Sequence, residues 1–206
     1  MANLVFAISR TFGSGGRIIG HKISEMLGCD FYDKELIKLA SIDSGINERL
    51  FSKADENKKP GLFKSTGVYR DELITPDSSD FVSDENLFNY QAKIVKGLAL
   101  AKNCVIVGRC SDYVLRNEDI NLVKVFIHAP EKVCVNTVME MYSLSEKDAA
   151  KRVEKIDKAR SEYYKYYTGN EWDDVNNFDI CLDSSVLGYD KTAKAIIEYA
   201  KLRFES

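Results

Sequence analysis

The sequence has little of what marks several classes of protein. Its 206 residues include three prolines, one tryptophan and two histidines, and the five cysteines form no C-x-x-C pair. An odd number of scattered cysteines argues against a zinc site or a disulfide framework and favours buried, reduced thiols. No apolar run approaches the roughly twenty residues needed to cross a bilayer, and the N-terminus lacks the pattern of a secretory signal. We therefore expect a cytoplasmic protein that does not bind membranes.

The charge balance excludes a general affinity for nucleic acid. The formal net charge is -3 and the sequence pI is about 5.6, whereas nucleic-acid-binding domains are usually basic. Any anion site must therefore be local. The length suits one domain with an insert, because domains typically span roughly 100–200 residues.

Short apolar runs alternate with helical patterns along the chain. The runs typical of buried strands are LVFAI, CDFYD, CVIVGR, LVKVFIHA and FDICLD. Alternating strands and helices predict a parallel α/β sheet, in which ligands bind beyond the carboxyl ends of the strands. Polar residues follow these strands and are expected to share that rim: Ser9, Arg10, Asp33, Arg109, Asp112, Asp183 and Ser184.

Residues 45–80 interrupt this alternation. The segment is polar, holds two of the three prolines and lacks sustained periodicity. A stretch of this length within a compact domain is usually a functional lid or a binding segment.

A glycine-rich stretch, SRTFGSGGRIIG, follows the first predicted strand. Glycines let the backbone approach a ligand closely, and the N-terminus of a helix favours anions, so a phosphate would fit here. With Gly16 taken as the last glycine of the P-loop pattern, Arg17 stands at the lysine and Ile18 at the Mg²⁺-binding hydroxyl. The match is weak by itself, and a turn without a ligand is the alternative.

A second candidate element is the charged segment between Lys151 and Lys165. Arg152, Lys155 and Lys158 are spaced by three, so they lie near one another on a helix. A solvated helix with local ion pairs is the common explanation for such a run. Next to a phosphate loop, the segment instead predicts a lid whose arginines neutralise a transferred phosphoryl group and exclude water.

Together these stretches resemble the cytidylate kinase-like family of P-loop proteins, which is related to nucleoside monophosphate kinases. The resemblance rests on ISRTFGSGGRIIG, FYDKELI, VIVGRCSDYVLR, VFIHAP, DKARSEYYKYYTGNEW and FDICLDSSVLG. It implies a P-loop NTPase-type three-layer α/β/α fold with five parallel strands in the order two-three-one-four-five. It also implies a single domain over residues 1–206, with an acceptor-binding insert at about 45–80 and a helical lid at about 143–172.

The resemblance further implies the site residues. The donor phosphates would be held by Gly13, Ser14, Gly15, Gly16, Arg17 and Ile18. The catalytic residues would be Arg17, Arg152 and Arg160, with Asp157 orienting a lid arginine. The acceptor would be bound by Asp33, Arg109 and Asp112, with Arg49 or Arg70 in addition. Because Ile18 carries no hydroxyl, Ser14, Ser9 or Asp33 would organise Mg²⁺ through water.

The expected activity is transfer of a phosphoryl group from ATP, with Mg²⁺, to a nucleoside monophosphate, most plausibly CMP or dCMP. Cys110 stands where cytidylate kinases carry an acid, so other small acceptors stay open, and Asp33 is the candidate base for a hydroxyl acceptor. A nucleotide-binding sensor without turnover is the alternative from another class, since the usual lysine and hydroxyl are absent. The partners expected are nucleotides, and monomer and homodimer both stay open.

Overall fold

One parallel sheet organises the part of the chain that the structure, a computed structural model, describes: residues 2–56, 69 and 71–204. Its strand order is β2-β3-β1-β4-β5, which confirms the order that the family resemblance implies. All neighbouring pairs are parallel. The strands are β1 (Leu4–Arg10), β2 (Asp30–Tyr32), β3 (Cys104–Val107), β4 (Asn121–His128) and β5 (Ile180–Asp183).

Helices cover both faces of this sheet, so the fold is a three-layer α/β/α arrangement. They are α1 (Gly16–Leu27), α2 (Glu35–Ser44), α3 (Glu48–Glu56), α4 (Asp84–Ala101), α5 (Ser111–Val114), α6 (Glu131–Tyr142), α7 (Glu146–Thr168) and α8 (Ser184–Phe204). No helix in the described ranges is both long enough and apolar enough to span a bilayer.

The central strand β1 explains the continuous apolar run of its sequence. Val5 packs into one core cluster with residues of α4 and α7, whereas Phe6 and Ile8 pack into a second cluster with α1 and α8. All three side chains are fully buried. A strand that is covered on both faces has no solvent side, so its polar residues are confined to its ends.

Local signals in the sequence set several helix ends. Gly28 adopts a left-handed conformation with φ 62 and ends α1, as expected for a glycine at that position. The Ser145 hydroxyl accepts a hydrogen bond from the backbone N–H of Asp148 and so caps α7. The helix α3 lies in the segment for which the sequence pattern predicted no element. Residues 57–68 and Arg70, a candidate acceptor contact, lie outside the described residues.

Candidate functional site

The glycine loop joins β1 to α1 at the carboxyl edge of the sheet. Gly13 and Gly15 have φ values of 90 and 79, a region that side chains disfavour. Gly15 is the residue immediately before α1, and no side chain caps that helix. The first backbone N–H groups of the helix, on Gly16, Arg17 and Ile18, are therefore available to an anion. The predicted donor-phosphate residues all lie in this loop and first turn.

Hydrogen bonds fix the loop to the neighbouring strands. The Ser14 hydroxyl donates to the carbonyl oxygens of Thr11 at 2.8 Å and Ile127 at 3.1 Å. The Ser184 hydroxyl donates to the carbonyl oxygen of Ser14 at 2.6 Å. Ser14 is 1% exposed, so a metal could reach the lone pairs of its hydroxyl only after the loop moved.

The helix α7 lies directly on the glycine loop. The Asp157 carboxylate accepts hydrogen bonds from the backbone N–H of Phe12 at 2.8 and 3.1 Å and from Arg160 Nη1 at 3.1 Å. Arg160 Nη1 also donates to the carbonyl oxygen of Arg10 at 3.0 Å. Burial raises the pKa of Asp157, while the charge of Arg160 opposes that shift. The predicted lid arginine is thus held beside the loop by the predicted acid.

Asp33, which follows β2, connects two arginines. Its Oδ2 accepts a hydrogen bond from Arg17 Nε at 2.6 Å, and its Oδ1 lies 3.7 Å from Arg10 Nη2. Burial lowers the pKa of Arg10 to about 9, helped by the nearby charges of Arg160 and Arg109 and opposed by Asp33. Arg10 was not among the predicted catalytic or binding residues. The available signal was its position, a cation at the end of the central strand directly before the loop.

A left-handed turn follows β3. Gly108, Arg109 and Cys110 have φ values of 80, 59 and 51. For residues other than glycine this conformation costs about 1–2 kcal/mol each, so the surrounding contacts must hold it. Strain of this kind is concentrated at functional sites, and here it places Arg109 in the wall of the central cavity.

The ends of β1, β2 and β3, together with α3 and α7, line a cavity of about 1160 Å³. Ser9, Asp33, Arg109, Arg152 and Arg160 all line it, and so do Trp172, Tyr163 and Tyr164. Seven cationic side chains face three acidic ones: Arg10, Lys34, Arg109, Lys151, Arg152, Lys155 and Arg160 against Asp33, Glu48 and Asp148. In a chain of net charge -3, this excess marks a site for a polyanion.

The other predicted residues do not line this cavity. Gly13, Ser14, Gly15 and Gly16 lie in the glycine loop, and Asp157 contacts that loop from α7. Arg17 and Ile18 line a separate cavity of about 240 Å³ on α1, and Arg49 is exposed on α3. Asp112 is buried, and its Oδ2 accepts a hydrogen bond from Tyr164 Oη at 2.6 Å. Burial raises the pKa of Asp112 to about 6. Its side chain thus contacts α7.

Comparisons with known proteins agree with this architecture. A family model described as the cytidylate kinase-like family matches residues 5–186. The structure of an uncharacterized protein from Eubacterium ventriosum ATCC 27560 superposes with a TM-score of 0.70 at 25% identity, covering 97% of this chain and 99% of that one. Shikimate kinase from Acinetobacter baumannii in complex with shikimate gives a TM-score of 0.53 at 11% identity, covering 100% and 97%, and shares the fold. No curated protein sequence matches significantly.

Proposed function

Because this chain belongs to the cytidylate kinase-like family, we propose that it transfers the γ-phosphoryl group of ATP to a nucleoside monophosphate, with CMP and dCMP as the first candidate acceptors. Family membership supports kinase-type phosphoryl transfer, and the acceptor is our extension. One observation carries the proposal. Seven Lys and Arg side chains line the cavity, and the nearby glycine loop leads into a helix whose first N–H groups have no side-chain cap. Phosphoryl transfer depends chiefly on positioning and on neutralising the charge of the transferred oxygens.

The glycine loop and the cavity suit different phosphates. The backbone N–H groups of the first turn of α1 would bind the donor phosphates. Arg109, on the strained turn, would bind the acceptor phosphate, for which a planar guanidinium offers two parallel hydrogen bonds. Arg160 contacts the end of β1 before the loop, lines the same cavity as Arg109 and is held by Asp157, so it would stabilise the charge on the phosphoryl group in transit. Arg152, which also lines the cavity, would add to that charge.

The described residues fit the sparse metal site that a Mg²⁺–nucleotide complex needs. Mg²⁺ usually keeps several waters and takes one or two carboxylates besides the substrate phosphates. In the described part of the chain no three His, Cys, Asp or Glu side chains group as metal ligands, whereas the Asp33 carboxylate lines the cavity. Asp33 would hold the ion through water. When bound, Mg²⁺ would supply charge neutralisation at the donor phosphates.

A nucleotide sensor is the second candidate, because Arg17 and Ile18 stand where the predicted P-loop register has a lysine and a Mg²⁺-binding hydroxyl. The two functions differ in a direct measurement of ADP formed from ATP and Mg²⁺ across a panel of nucleoside and deoxynucleoside monophosphates. We expect ADP release that depends on one pyrimidine monophosphate and exceeds a control without acceptor. Tight binding of ATP with no turnover on any acceptor would favour the sensor. Turnover with a small hydroxylated acceptor instead would retain the kinase and replace the acceptor.

Replacing Arg109 by glycine separates stability from function. Arg109→Gly relieves a left-handed φ of 59, so we expect the free energy of unfolding to rise by about 1 kcal/mol. The same change removes the proposed acceptor contact, so the KM for the acceptor should rise. Urea denaturation and steady-state kinetics measure the two effects. Arg109→Ala is the matched control, because it removes the same guanidinium and keeps the strained φ: it should lose the same acceptor affinity, and Arg109→Gly should be the more stable of the two variants by about 1 kcal/mol. Equal stability of the two variants would contradict the strain argument.

A further inference from the structure

The residue at which α1 begins decides how the P-loop pattern is aligned with this sequence. The pattern requires a lysine directly after its last glycine, between a strand and a helix. Since Gly15 and Gly16 are adjacent, two registers are possible. In the structure, Gly15 is the left-handed residue before α1, and the helix begins at Gly16. With Gly15 as the last glycine of the pattern, this chain has Gly16 at the position of the lysine. It has Arg10 at the position of the first glycine, five residues before Gly15.

The side chain of Arg10 occupies the space that a side chain at position 16 would need. A Cβ added to Gly16 would lie 2.5 Å from Arg10 Cβ and 2.8 Å from Arg10 Cγ. At the other end of the same side chain, a Cβ added to Gly108 would lie 2.4 Å from Arg10 Nη1. Carbon and nitrogen atoms do not approach so closely without displacement. Two glycines therefore flank Arg10, one at its base and one at its guanidinium.

Arg10 reaches the central cavity, which Arg17 does not line. The Arg10 side chain is 19% exposed, lines the cavity and lies 3.7 Å from Asp33 Oδ1. The Arg17 side chain is 61% exposed and lines the smaller cavity on α1. Around Arg10, the charges of Arg160 and Arg109 are repulsive, and those of Asp33 and Asp157 are attractive. Such a cluster of guanidiniums is stabilised when a phosphate binds among them.

We propose that Arg10, projecting from the end of β1, supplies the cation at the donor phosphates that lysine supplies in the ordinary P-loop, and that Gly16 is glycine because the Arg10 side chain passes over it. This inference rests on the proposed function for the identity of the ligand. It assigns the missing lysine to a residue six positions earlier in the chain. It also assigns Arg17 a positioning role, since Arg17 holds the Asp33 carboxylate that Arg10 faces.

The test moves the cationic side chain from position 10 to position 16. Arg10→Gly removes the guanidinium, and Arg10→Gly combined with Gly16→Lys rebuilds the ordinary pattern, with a lysine at the start of the helix. The matched control is Arg10→Gly combined with Gly16→Met, which has similar volume and no charge. For each variant, calorimetry measures the affinities for ATP and AMP, and steady-state kinetics measures kcat. Thermal unfolding shows that each variant is folded.

We expect Arg10→Gly to lower kcat by about 10²-fold or more, as for removal of a group that stabilises transition-state charge. It should also weaken ATP binding by at least about tenfold, the effect of losing one charged hydrogen bond, while AMP binding changes little. The variant with Gly16→Lys should regain part of both losses, and the variant with Gly16→Met neither. Wild-type-like ATP affinity in Arg10→Gly, or equal behaviour of the two double variants, would overturn the inference. If the wild type turns over no acceptor, the proposed reaction fails, and the ATP affinities still decide the role of Arg10.

Discussion

Arg160→Ala is expected to lower kcat of the proposed reaction by about 10³-fold or more, the effect of an arginine that stabilises the phosphoryl group in transit. Arg160 Nη1 lies 3.1 Å from Asp157 Oδ1 and 3.0 Å from the carbonyl oxygen of Arg10. It is therefore held where α7 contacts the end of β1 and the glycine loop. A group that acts mainly in the transition state changes kcat more than ground-state binding. The affinity for ATP should consequently fall much less than kcat.

Lys158→Ala is the matched control, because it removes a positive charge from the exposed side of the same helix. It should change kcat by less than about twofold, since exposed charges are screened by solvent. Arg160→Lys should recover only part of the loss, because an ammonium does not reproduce the forked contacts of a guanidinium. Equal losses of ATP affinity and kcat in Arg160→Ala would show that Arg160 binds the ground state. A similar loss of kcat in Lys158→Ala would show that the effect of Arg160→Ala comes only from the change in net charge.

The fold was predictable because burial on both faces leaves a strong pattern in the sequence. Runs such as LVFAI and CVIV have no polar alternation, and each is a fully or almost fully buried strand. The glycine ending α1 and the serine capping α7 are local signals that need no tertiary contacts. The helix α3 was missed because its buried residues, Phe51 and Ala54, contact α2 and α4 rather than forming a long stripe.

The candidate site was less predictable, because its geometry depends on contacts distant in sequence. The spacing of the glycines did not decide which of Gly15 and Gly16 precedes the helix. If Gly15 does, the residue aligned with the P-loop lysine is Gly16 rather than Arg17. The contact between Asp157 and Phe12 spans 145 residues. Asp112 was predicted to bind the acceptor because the family resemblance implies an acid next to Arg109, where this chain has Cys110. Its burial beside Tyr164 has no signal in the local sequence.

Asp112→Asn is expected to stabilise the protein above pH 6 and to remove a pH dependence. Burial raises the pKa of Asp112 to about 6 from an ordinary value of 3.8. Between these values the folded state binds more protons than the unfolded state, so the free energy of unfolding falls as the pH rises from about 4 to about 6 and is level above that. A shift of this size corresponds to about 3 kcal/mol at most. The stabilisation by Asp112→Asn should therefore approach that figure at pH 8 and nearly vanish at pH 4.

Urea denaturation of both proteins at several pH values measures this difference directly. Tyr164→Phe is the companion variant, because it removes the hydrogen bond from Tyr164 Oη that stabilises the carboxylate. It should destabilise the protein by about 1–3 kcal/mol above pH 6, where the carboxylate is charged, and by less at pH 4. In the double variant the two effects should not add, since both act on one buried contact. Parallel pH profiles for the wild type and Asp112→Asn would show that another group titrates. An ionised Asp112 therefore lowers stability near neutral pH while it accepts the hydrogen bond that joins α7 to the turn carrying Arg109.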